Sequence, residues 1–406
     1  MSYEIRPITE DEYLALSKVL EVAFGDTDPE AEHEKPIFEF DRSIGVFDGD
    51  RVVGSAGAYT FELTLPGNTT TQVAGVTWVG VLSTYRRQGI LRSMMAHQLA
   101  DVRERGEALA VLTASEGSIY GRFGYGQASI NYSAEIRRPV EFRSEVPLGR
   151  MTMVDKDEAG KVLPGLYDRW RQRTPGAISR RPEWWDVHLA DPKKYRDGMS
   201  GRFYAIHESQ PGQPDGYVAY RTKNGWDSNA LPNGELKVED LVALTPDAHA
   251  ALWRYVLEVD LMAKVTIRNL AIDDPIRWRF EDPRRLRVTN ASDFLWARIL
   301  DVPAALAARR YEGEGRLVID VVDDFIPELS GRYQLEGGPD GAQAAATDAD
   351  ADIRVHIVDL GAAYLGAAPF TTLVGAGRAE ELTPGALRRA DAMFRSVPAA
   401  FCNTGF

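Results

Sequence analysis

Residues 76–92 combine residue types and spacing that suit the binding of an anion. An apolar run, predicted to be a buried strand, leads into a turn that contains Arg86, Arg87 and Gly89, and a helix follows. The free N–H groups and the dipole of a helix N-terminus favour a negative charge. Gly89 allows close approach of the backbone and the arginines add charge, so a phosphate or pyrophosphate is the predicted guest. A surface turn with scattered arginines is the alternative.

The elements that must position this turn alternate between strands and helices. Residues 3–8 predict a strand, and Thr9 with Glu12 forms a capping signature before a helix. Gly49-Asp50 and residues 66–68 are turn signals between further strands. The helix after the basic turn is amphipathic, ends near Gly106 and precedes a buried strand at residues 109–113. Its apolar positions are Leu91, Met94, Met95, Leu99 and Val102.

Residues 140–288 contain a fainter copy of the same strand–loop–helix unit. When Val81 is aligned with Ala243, Arg92 falls on Arg254. The second copy has Ala-His-Ala-Ala at residues 248–251, where the first copy has Arg-Arg-Gln-Gly. This pattern predicts a duplicated domain that kept the scaffold and lost the anion-binding loop. Chance similarity of two strand–helix units is the alternative.

From about residue 289 the chain changes character. Residues 316–322 are strand-like, and residues 333–336 and 353–357 are predicted to join them in a sheet. The intervening residues 337–352 are rich in Ala, Gly and Asp, which predicts a mobile hairpin loop. Two helical runs follow, at residues 361–367 and 384–394.

Length and composition limit the class of protein. A chain of 406 residues exceeds what one hydrophobic core normally serves, so two or three domains are expected. The net charge of -13 disfavours nucleic acid as a partner and suits a cationic substrate, although acidity for solubility alone is an equal alternative. The single cysteine, Cys402, fits a reducing cytoplasm. Without a leader or a membrane-length apolar stretch, a cytoplasmic protein is expected unless a non-classical route exports it.

The basic turn resembles the acetyl-CoA loop of the GNAT family of acetyltransferases, an Arg/Gln-x-x-Gly-x-Gly/Ala pattern. Arg86, Gly89 and Leu91 occupy its three key positions, and Leu91 departs from the usual Gly or Ala. A sharper likeness is the run Ala-Ser-Glu-Gly-Ser-Ile-Tyr-Gly-Arg-Phe-Gly-Tyr-Gly at residues 114–126, which resembles the Eis (enhanced intracellular survival) branch of that family. The likeness covers nearly the whole chain. Further matching runs are residues 167–171, 247–254, 295–299 and 302–306.

This resemblance implies an α/β and α+β protein of three domains. A catalytic GNAT acetyltransferase domain would span residues 1–139, and a degenerate GNAT-like domain without a cofactor loop residues 140–288. A sterol-carrier-like α+β domain with a catalytic C-terminus would span residues 289–406. The resemblance also implies a homohexamer, acetyl-CoA as co-substrate and no metal. The implied acetyl-CoA contacts are Val79, Gly80, Val81, Arg87, Gln88, Gly89, Ile90, Leu91, Arg92, Ser115 and Glu116.

The resemblance assigns the general acid to Tyr120 and the general base to the carboxylate of Phe406. A backbone N–H of the preceding strand, that of Val81, would polarise the thioester carbonyl. An amine with a pKa of about 10 is protonated at neutral pH, so a base must accept its proton. Coenzyme A leaves as a thiolate, which a tyrosine hydroxyl can protonate.

Several alternatives stay open. Tyr125 lies in the same glycine-rich turn as Tyr120 and is the second candidate for the acid. Trp78 suits either the acceptor pocket or the core. The alternating acids at residues 26, 28, 30, 32 and 34 would attract a polyamine or form a solvated face. Gly405 stands where relatives are expected to carry a carboxylate, so the preferred acceptor can differ from an aminoglycoside.

The sequence therefore predicts acetyl-CoA-dependent acetylation of an amine in the first domain, by direct attack in a ternary complex. Aminoglycosides, polyamines and exposed lysines are the expected acceptors. Three rival functions remain: a protein-lysine acetyltransferase without an antibiotic role, a carrier of lipids or other hydrophobes built on the last domain, and a scaffold with a vestigial site. The intact basic turn at residues 86–92 counts against the vestigial site.

Overall fold

The computed structural model describes residues 3–25, 31–146 and 149–406, with the side chains of residues 31 and 32 left out. The chain forms two units. The first contains Met1–Ser129, Asp293–Ala400 and Thr404–Phe406, and the second contains Ile130–Ser292 and Phe401–Asn403. The predicted domain limits after residues 139 and 288 stay predictions. Within the described residues no helix is both long enough and apolar enough to cross a membrane.

A seven-stranded mixed sheet forms the N-terminal part of the first unit. Its order is β1-β2-β3-β4-β5-β14-β6, so a strand from much later in the chain pairs between β5 and β6. β4 and β5 are parallel, and the strands from β1 to β4 are antiparallel neighbours. The strands are β1 Glu4–Pro7, β2 Ile44–Asp48, β3 Arg51–Leu65, β4 Thr69–Val81, β5 Leu109–Thr113, β6 Gly126–Gln127 and β14 Leu295–Ile299.

Helices cover both faces of this sheet. The predicted capping box at Thr9 and Glu12 is confirmed and begins a 3₁₀ turn that continues into α1. Two glycines of the sheet show which helix lies on which face. A Cβ added to Gly80 of β4 would meet Leu20 of α1 on one face. A Cβ added to Gly54 of β3 would meet Ile90 of α3 on the other. The helices are α1 Tyr13–Phe24, α2 Ala31–Glu34, α3 Ile90–Glu104 and α4 Gly117–Tyr120.

The C-terminal part of the first unit is a five-stranded sheet with helices, in the order β17-β16-β15-β18-β19. The predicted loop at residues 337–352 is wrong in part, because Gly341–Ala346 pairs with the preceding strand. Pro339-Asp340-Gly341 is a turn signal that accounts for this hairpin. The elements are α9 Val302–Ala308, β15 Gly315–Val322, β16 Gly331–Gly338, β17 Gly341–Ala346, β18 Ile353–His356, α10 Ile357–Tyr364, α11 Phe370–Gly375, β19 Ala379–Glu381 and α12 Ala386–Phe394.

The second unit has its own seven-stranded sheet, in the order β13-β7-β12-β11-β10-β9-β8. β11 and β12 are parallel and α7 connects them, as α3 connects β4 and β5 in the first unit. Trp253 of α7 is fully buried in the core of this unit. The elements are β7 Ile130–Arg137, β8 Arg150–Val154, α5 Lys156–Arg171, α6 Pro182–Ala190, β9 Phe203–Gln210, β10 Gln213–Lys223, β11 Gly234–Ala243, α7 Pro246–Glu258, β12 Met262–Ala271, α8 Ile276–Arg279 and β13 Leu286–Asp293.

Candidate active site

The two parallel strands at the centre of the first sheet separate and open a cavity. β4 pairs with β5 only from Ala74 to Val76, yet it continues as a strand to Val81. The cavity beyond the last pair has a volume of about 350 Å³. Its lining residues are Leu20, Phe24, Glu34, Val76, Thr77, Trp78, Val79, Thr113, Ala114, Ser115, Tyr120 and Phe406. The separation gives a ligand access to backbone groups in the middle of a sheet.

A β-bulge at Trp78 redirects the second half of β4. The register against β3 gains one residue between Gly57 and Ser55, and Trp78 has a left-handed φ of 56°. Such a conformation is strained for a bulky residue and must be held by its surroundings. The Trp78 Nε1–H donates to the Tyr59 hydroxyl at 2.7 Å, and the Trp78 carbonyl accepts from the Ser55 hydroxyl at 2.8 Å. Trp78 therefore both lines the cavity and packs in the core, with 8% of its surface exposed.

The backbone N–H of Val81 is directed toward the separated side of β4. The N–H of Leu82 donates to the Val53 carbonyl at 3.0 Å, and Val81 lies opposite Gly54 in the register. Hydrogen-bonded and non-hydrogen-bonded pairs alternate along antiparallel strands, so the pair of Val81 and Gly54 is of the second kind. The Val81 N–H consequently points away from β3, toward the side on which β4 has parted from β5.

The turn between β4 and α3 presents backbone N–H groups at the start of a 15-residue helix. Arg87 and Gly89 have left-handed φ values of 64° and 84°, and no side chain caps the helix N-terminus. The first N–H groups of a helix have no intrahelical partner, and left-handed residues beside them form an anion-binding concavity. The turn from Arg86 to Gly89 is exposed, so the phosphates of a nucleotide fit this geometry.

The corresponding helix of the second unit lacks this opening. Thr245 caps the N-terminus of α7, because its hydroxyl accepts from the N–H of Ala248 at 3.1 Å. Pro246 occupies the first turn and has no N–H to offer. The local geometry is that of a closed helix start, which agrees with the predicted loss of the anion-binding loop in the second copy.

The other predicted acetyl-CoA contacts differ in their surroundings. Ile90 is buried against the sheet, Leu91 is half-buried and Arg92 is exposed with its guanidinium 4.8 Å from the centre of the Phe325 ring. The Gln88 side chain accepts a hydrogen bond of 2.5 Å from the Tyr3 hydroxyl. Gly80 backs onto α1, as described above. Val79 and Ser115 line the cavity, and Glu116 is exposed next to Ser115.

Tyr120 ends the short helix α4 and lines the cavity, with 7% of its surface exposed. Burial, with a smaller contribution from the Glu116 carboxylate, raises the pKa of the Tyr120 hydroxyl to about 12. Its ring lies 5.9 Å from that of Tyr125, measured between centres. Tyr125 is fully buried, and its hydroxyl has no hydrogen-bond partner within the described ranges. Of the two tyrosines, Tyr120 is the one that lines the cavity.

The last residue lines the same cavity as Tyr120. The Phe406 ring packs against Phe61 at 5.1 Å between centres, and a Cβ on Gly75 would come within 3.2 Å of it. The hydroxyl of Thr113, at the end of β5, donates to the Phe406 carboxylate at 3.0 Å. These contacts seat the terminal carboxylate at the mouth of the separated strands.

The residues just before the terminus are held in the second unit. The Phe401 N–H donates to the Pro175 carbonyl and the Asn131 side chain donates to the Cys402 carbonyl, both at 2.7 Å. The Asn403 side chain donates to the buried carboxylate of Asp240 at 2.7 Å. Cys402 is fully buried, as expected of a small filler.

Sequence reasoning missed several residues of this site. Thr113 contacts the terminal carboxylate, and its only signal was a hydroxyl at the end of a buried strand. Phe61 carried no signal, because its contact with Phe406 joins residues far apart in sequence. Of the alternating acids, Glu34 lines the cavity. Asp26, Asp28 and Glu30 lie outside the described residues, as does the side chain of Glu32.

Comparison with known protein families agrees with this architecture. Residues 4–128 match an acetyltransferase (GNAT) domain, and residues 176–299 match a second acetyltransferase (GNAT) domain. Residues 302–403 match a sterol carrier protein domain. The fold and the site thus define an acyltransferase with two GNAT domains and a sterol-carrier-like domain.

Relatives that match most or all of the chain identify its family within this class of acyltransferases. The chain is 39% identical over 414 residues to an uncharacterized N-acetyltransferase of Streptomyces avermitilis, covering all of both chains. It is 37% identical to the N-acetyltransferase Eis of Mycobacterium tuberculosis, over 87% of this chain and 85% of the relative. The crystal structure of Eis1 from Mycobacterium abscessus superposes with a TM-score of 0.88 at 32% identity, over 99% of this chain and 100% of that one. The chain belongs to the Eis family of N-acetyltransferases, which use acetyl-CoA to acetylate amines.

Proposed function

We propose that this protein transfers the acetyl group directly from acetyl-CoA to an amine, with both substrates bound in the cavity between β4 and β5. Acetyl-CoA supplies the acetyl group as an activated thioester. The turn from Arg86 to Arg92 and the free edge of β4 would hold it, together with Ser115 and Glu116. Side-by-side binding supplies the orientation, so no covalent enzyme intermediate is required.

The residues of this chain then move two protons. The Phe406 carboxylate accepts a proton from the acceptor amine as the new C–N bond forms. The Val81 N–H donates a hydrogen bond to the thioester oxygen, which gains negative charge during the attack. The Tyr120 hydroxyl donates its proton to the sulfur as the C–S bond breaks.

One observation carries this proposal: Tyr120 and Phe406 line the same cavity, at the point where β4 parts from β5. A proton donor and a proton acceptor thus flank the free backbone edge of a strand. The Tyr120 hydroxyl carries its proton at neutral pH, as a proton donor must. The hydrogen bond from Thr113 supports the assignment of the base, because it orients the terminal carboxylate.

Aminoglycosides, polyamines and exposed lysines are the proposed acceptors. The cavity carries the carboxylates of Glu34 and Phe406, and the net charge of the chain is -13, so a cationic amine is favoured. A thiol-release assay with acetyl-CoA against a panel of these amines tests the proposal. Turnover with amines but not with matched alcohols is the expected result, and release at the rate of plain hydrolysis would contradict it. The homohexamer and the cytoplasmic location stay predictions from the resemblance and the composition.

Gly89→Glu is expected to weaken acetyl-CoA binding at least about tenfold, equivalent to about 1.4 kcal/mol. The new carboxylate would stand at the helix start where the phosphates approach, and a side chain at φ 84° is strained. Titration calorimetry measures the change. Gly106→Glu is the matched control, because Gly106 at the other end of α3 also has a left-handed φ, 77°, and open space around it. Equal loss of affinity in both variants would contradict the assigned location.

Thr113→Val is expected to lower kcat roughly threefold to tenfold, equivalent to the net contribution of about 0.5–1.5 kcal/mol that a typical hydrogen bond makes. Loss of this bond should also raise the pKa of the carboxylate, which moves the acid limb of the kcat profile to higher pH. Steady-state kinetics from acid to neutral pH check both effects.

Two variants control for the substitution at Thr113. Thr113→Ser keeps the hydroxyl and should keep the wild-type profile. Thr64→Val makes the same change at a buried hydroxyl that has no hydrogen-bond partner within the described ranges, so it should leave the profile unchanged. A Thr113→Val profile identical to that of Thr64→Val would rule out the positioning role.

A further inference from the structure

A short loop of the sterol-carrier-like domain, residues 323–326, lies against the acetyltransferase part of the first unit. It follows β15 and precedes the 3₁₀ turn Pro327–Leu329. Asp323 shapes the loop, because its Oδ1 accepts from the N–H groups of Phe325 and Ile326 at 2.9 Å each. Hydrogen bonds within the loop therefore fix its conformation, independently of its contacts with the neighbouring sheet.

A buried ion pair anchors this loop. The other oxygen of Asp323 lies 2.6 Å from Nη2 of Arg298, and both side chains are 0% exposed. Arg298 belongs to β14, next to β5 and β6. Its guanidinium fills the space in front of Gly124, where any Cβ would collide with it. Gly124 belongs to the turn that follows Tyr120, so the loop is fixed beside the part of the chain that carries the proposed acid.

The Phe325 ring then contacts the turn that follows Tyr120 and one residue of the proposed acetyl-CoA site. It packs edge-on against Phe123 at 5.2 Å between ring centres. Its face lies 4.8 Å from the guanidinium carbon of Arg92, in the first turn of α3. An aromatic face attracts a guanidinium and restricts its orientation while leaving its N–H groups available. Arg92 is exposed and has a long side chain, so it would otherwise sample many rotamers.

We propose that Phe325 is a positioning residue for acetyl-CoA, contributed by the sterol-carrier-like domain. It holds the Arg92 guanidinium at the helix start, where the phosphates of acetyl-CoA bind. This inference rests on the proposed function, which locates the cofactor at residues 86–92. It gives the last domain a role in cofactor binding that does not require any lipid.

Phe325→Leu tests this role by removing the aromatic face and keeping an apolar side chain. The dissociation constant of acetyl-CoA should rise roughly twofold to fivefold, the range of cation–π contacts at exposed sites. KM for acetyl-CoA should rise with it, and kcat should change little. Phe325→Tyr keeps the ring and should restore the wild-type affinity. Calorimetry on the full chain measures each value, and unchanged affinity in a folded Phe325→Leu protein would overturn the proposal.

Phe370→Leu is the matched control for stability. Phe370 is fully buried in the same domain and packs against Phe394 at 5.0 Å between centres. Its replacement should lower the melting temperature without changing acetyl-CoA affinity. If Phe370→Leu weakened binding as much as Phe325→Leu, the effect would be general loosening of the domain and the inference would fail.

A double-mutant cycle with Arg92→Gln separates this inference from the proposed function. If Phe325 acts through Arg92, then Phe325→Leu should have no further effect in the Arg92→Gln background. Fully additive effects would overturn the inference while leaving the cofactor location intact. If Arg92→Gln and Gly89→Glu both bind acetyl-CoA normally, the proposed location itself is wrong.

Discussion

Tyr120→Phe is expected to lower kcat roughly 10²- to 10⁴-fold, the usual contribution of a general acid. The substitution removes one hydroxyl and keeps the ring that lines the cavity, so acetyl-CoA affinity should stay nearly unchanged. Without the hydroxyl, the sulfur must leave as an unprotonated thiolate. Thiol-release kinetics give kcat, and calorimetry on the same protein gives the affinity.

The pH dependence of the wild-type protein follows from the same residue. Burial raises the pKa of Tyr120 to about 12, and a raised pKa favours the neutral form, which is the one that donates a proton. The hydroxyl therefore stays protonated throughout neutral and mildly alkaline pH. No loss of activity below about pH 11 should be assignable to this group.

Tyr125→Phe is the control for Tyr120→Phe. The Tyr125 hydroxyl is buried without a hydrogen-bond partner among the residues described, so its removal leaves no other group unsatisfied. Turnover of Tyr125→Phe should remain close to that of the wild type. The opposite result, with the loss in Tyr125→Phe alone, would exchange the roles of the two tyrosines.

Extension of the chain by one or two residues after Phe406 is expected to lower kcat by about 10²- to 10⁴-fold, as loss of a general base does. The extension turns the Phe406 carboxylate into a neutral amide and moves the new carboxylate several ångströms away. Phe406 already packs against Phe61 and accepts a hydrogen bond from Thr113, so the added residues are not needed for folding. The measurement compares kcat of the two chains at saturating acetyl-CoA.

The same residues added before Met1 provide the control, and this variant should keep full activity. Equal melting temperatures and equal acetyl-CoA affinities must accompany the comparison, so that only the carboxylate differs. Full activity of the C-terminally extended chain would eliminate the terminal base and point to an internal or solvent-delivered one.

The local parts of the site were predictable from sequence because their signals are local. The turn at Arg86 to Gly89 combines a strand end, a left-handed glycine and a helix start within a few residues. Thr9 and Glu12 form a capping box three residues apart, and Gly106 ends α3 with a left-handed φ. In each case the residue types that determine the conformation are adjacent in the chain.

The parts that could not be predicted depend on partners distant in sequence. The bulge at Trp78 is held by Tyr59 and Ser55 of a neighbouring strand, and nothing in the residues around Trp78 specifies it. The contact of Thr113 with Phe406 spans 293 positions. The strand at residues 341–346 was missed for a different reason: the turn before it is typical, but its glycine and alanines have low strand propensity.

Because of the position of β14, the first sheet can be completed only late in the synthesis of the protein. This strand lies between β5 and β6, yet the ribosome makes it about 170 residues after β6, roughly 10–30 s later at ~5–20 residues per second. Until then the edge of β5 that β14 will cover has its backbone donors and acceptors unpaired. In a polypeptide of residues 1–139 that edge would stay unpaired permanently, which favours association with the edge of another chain. Engineering the acetyltransferase as a minimal domain therefore requires residues 295–299 to be grafted beside β5.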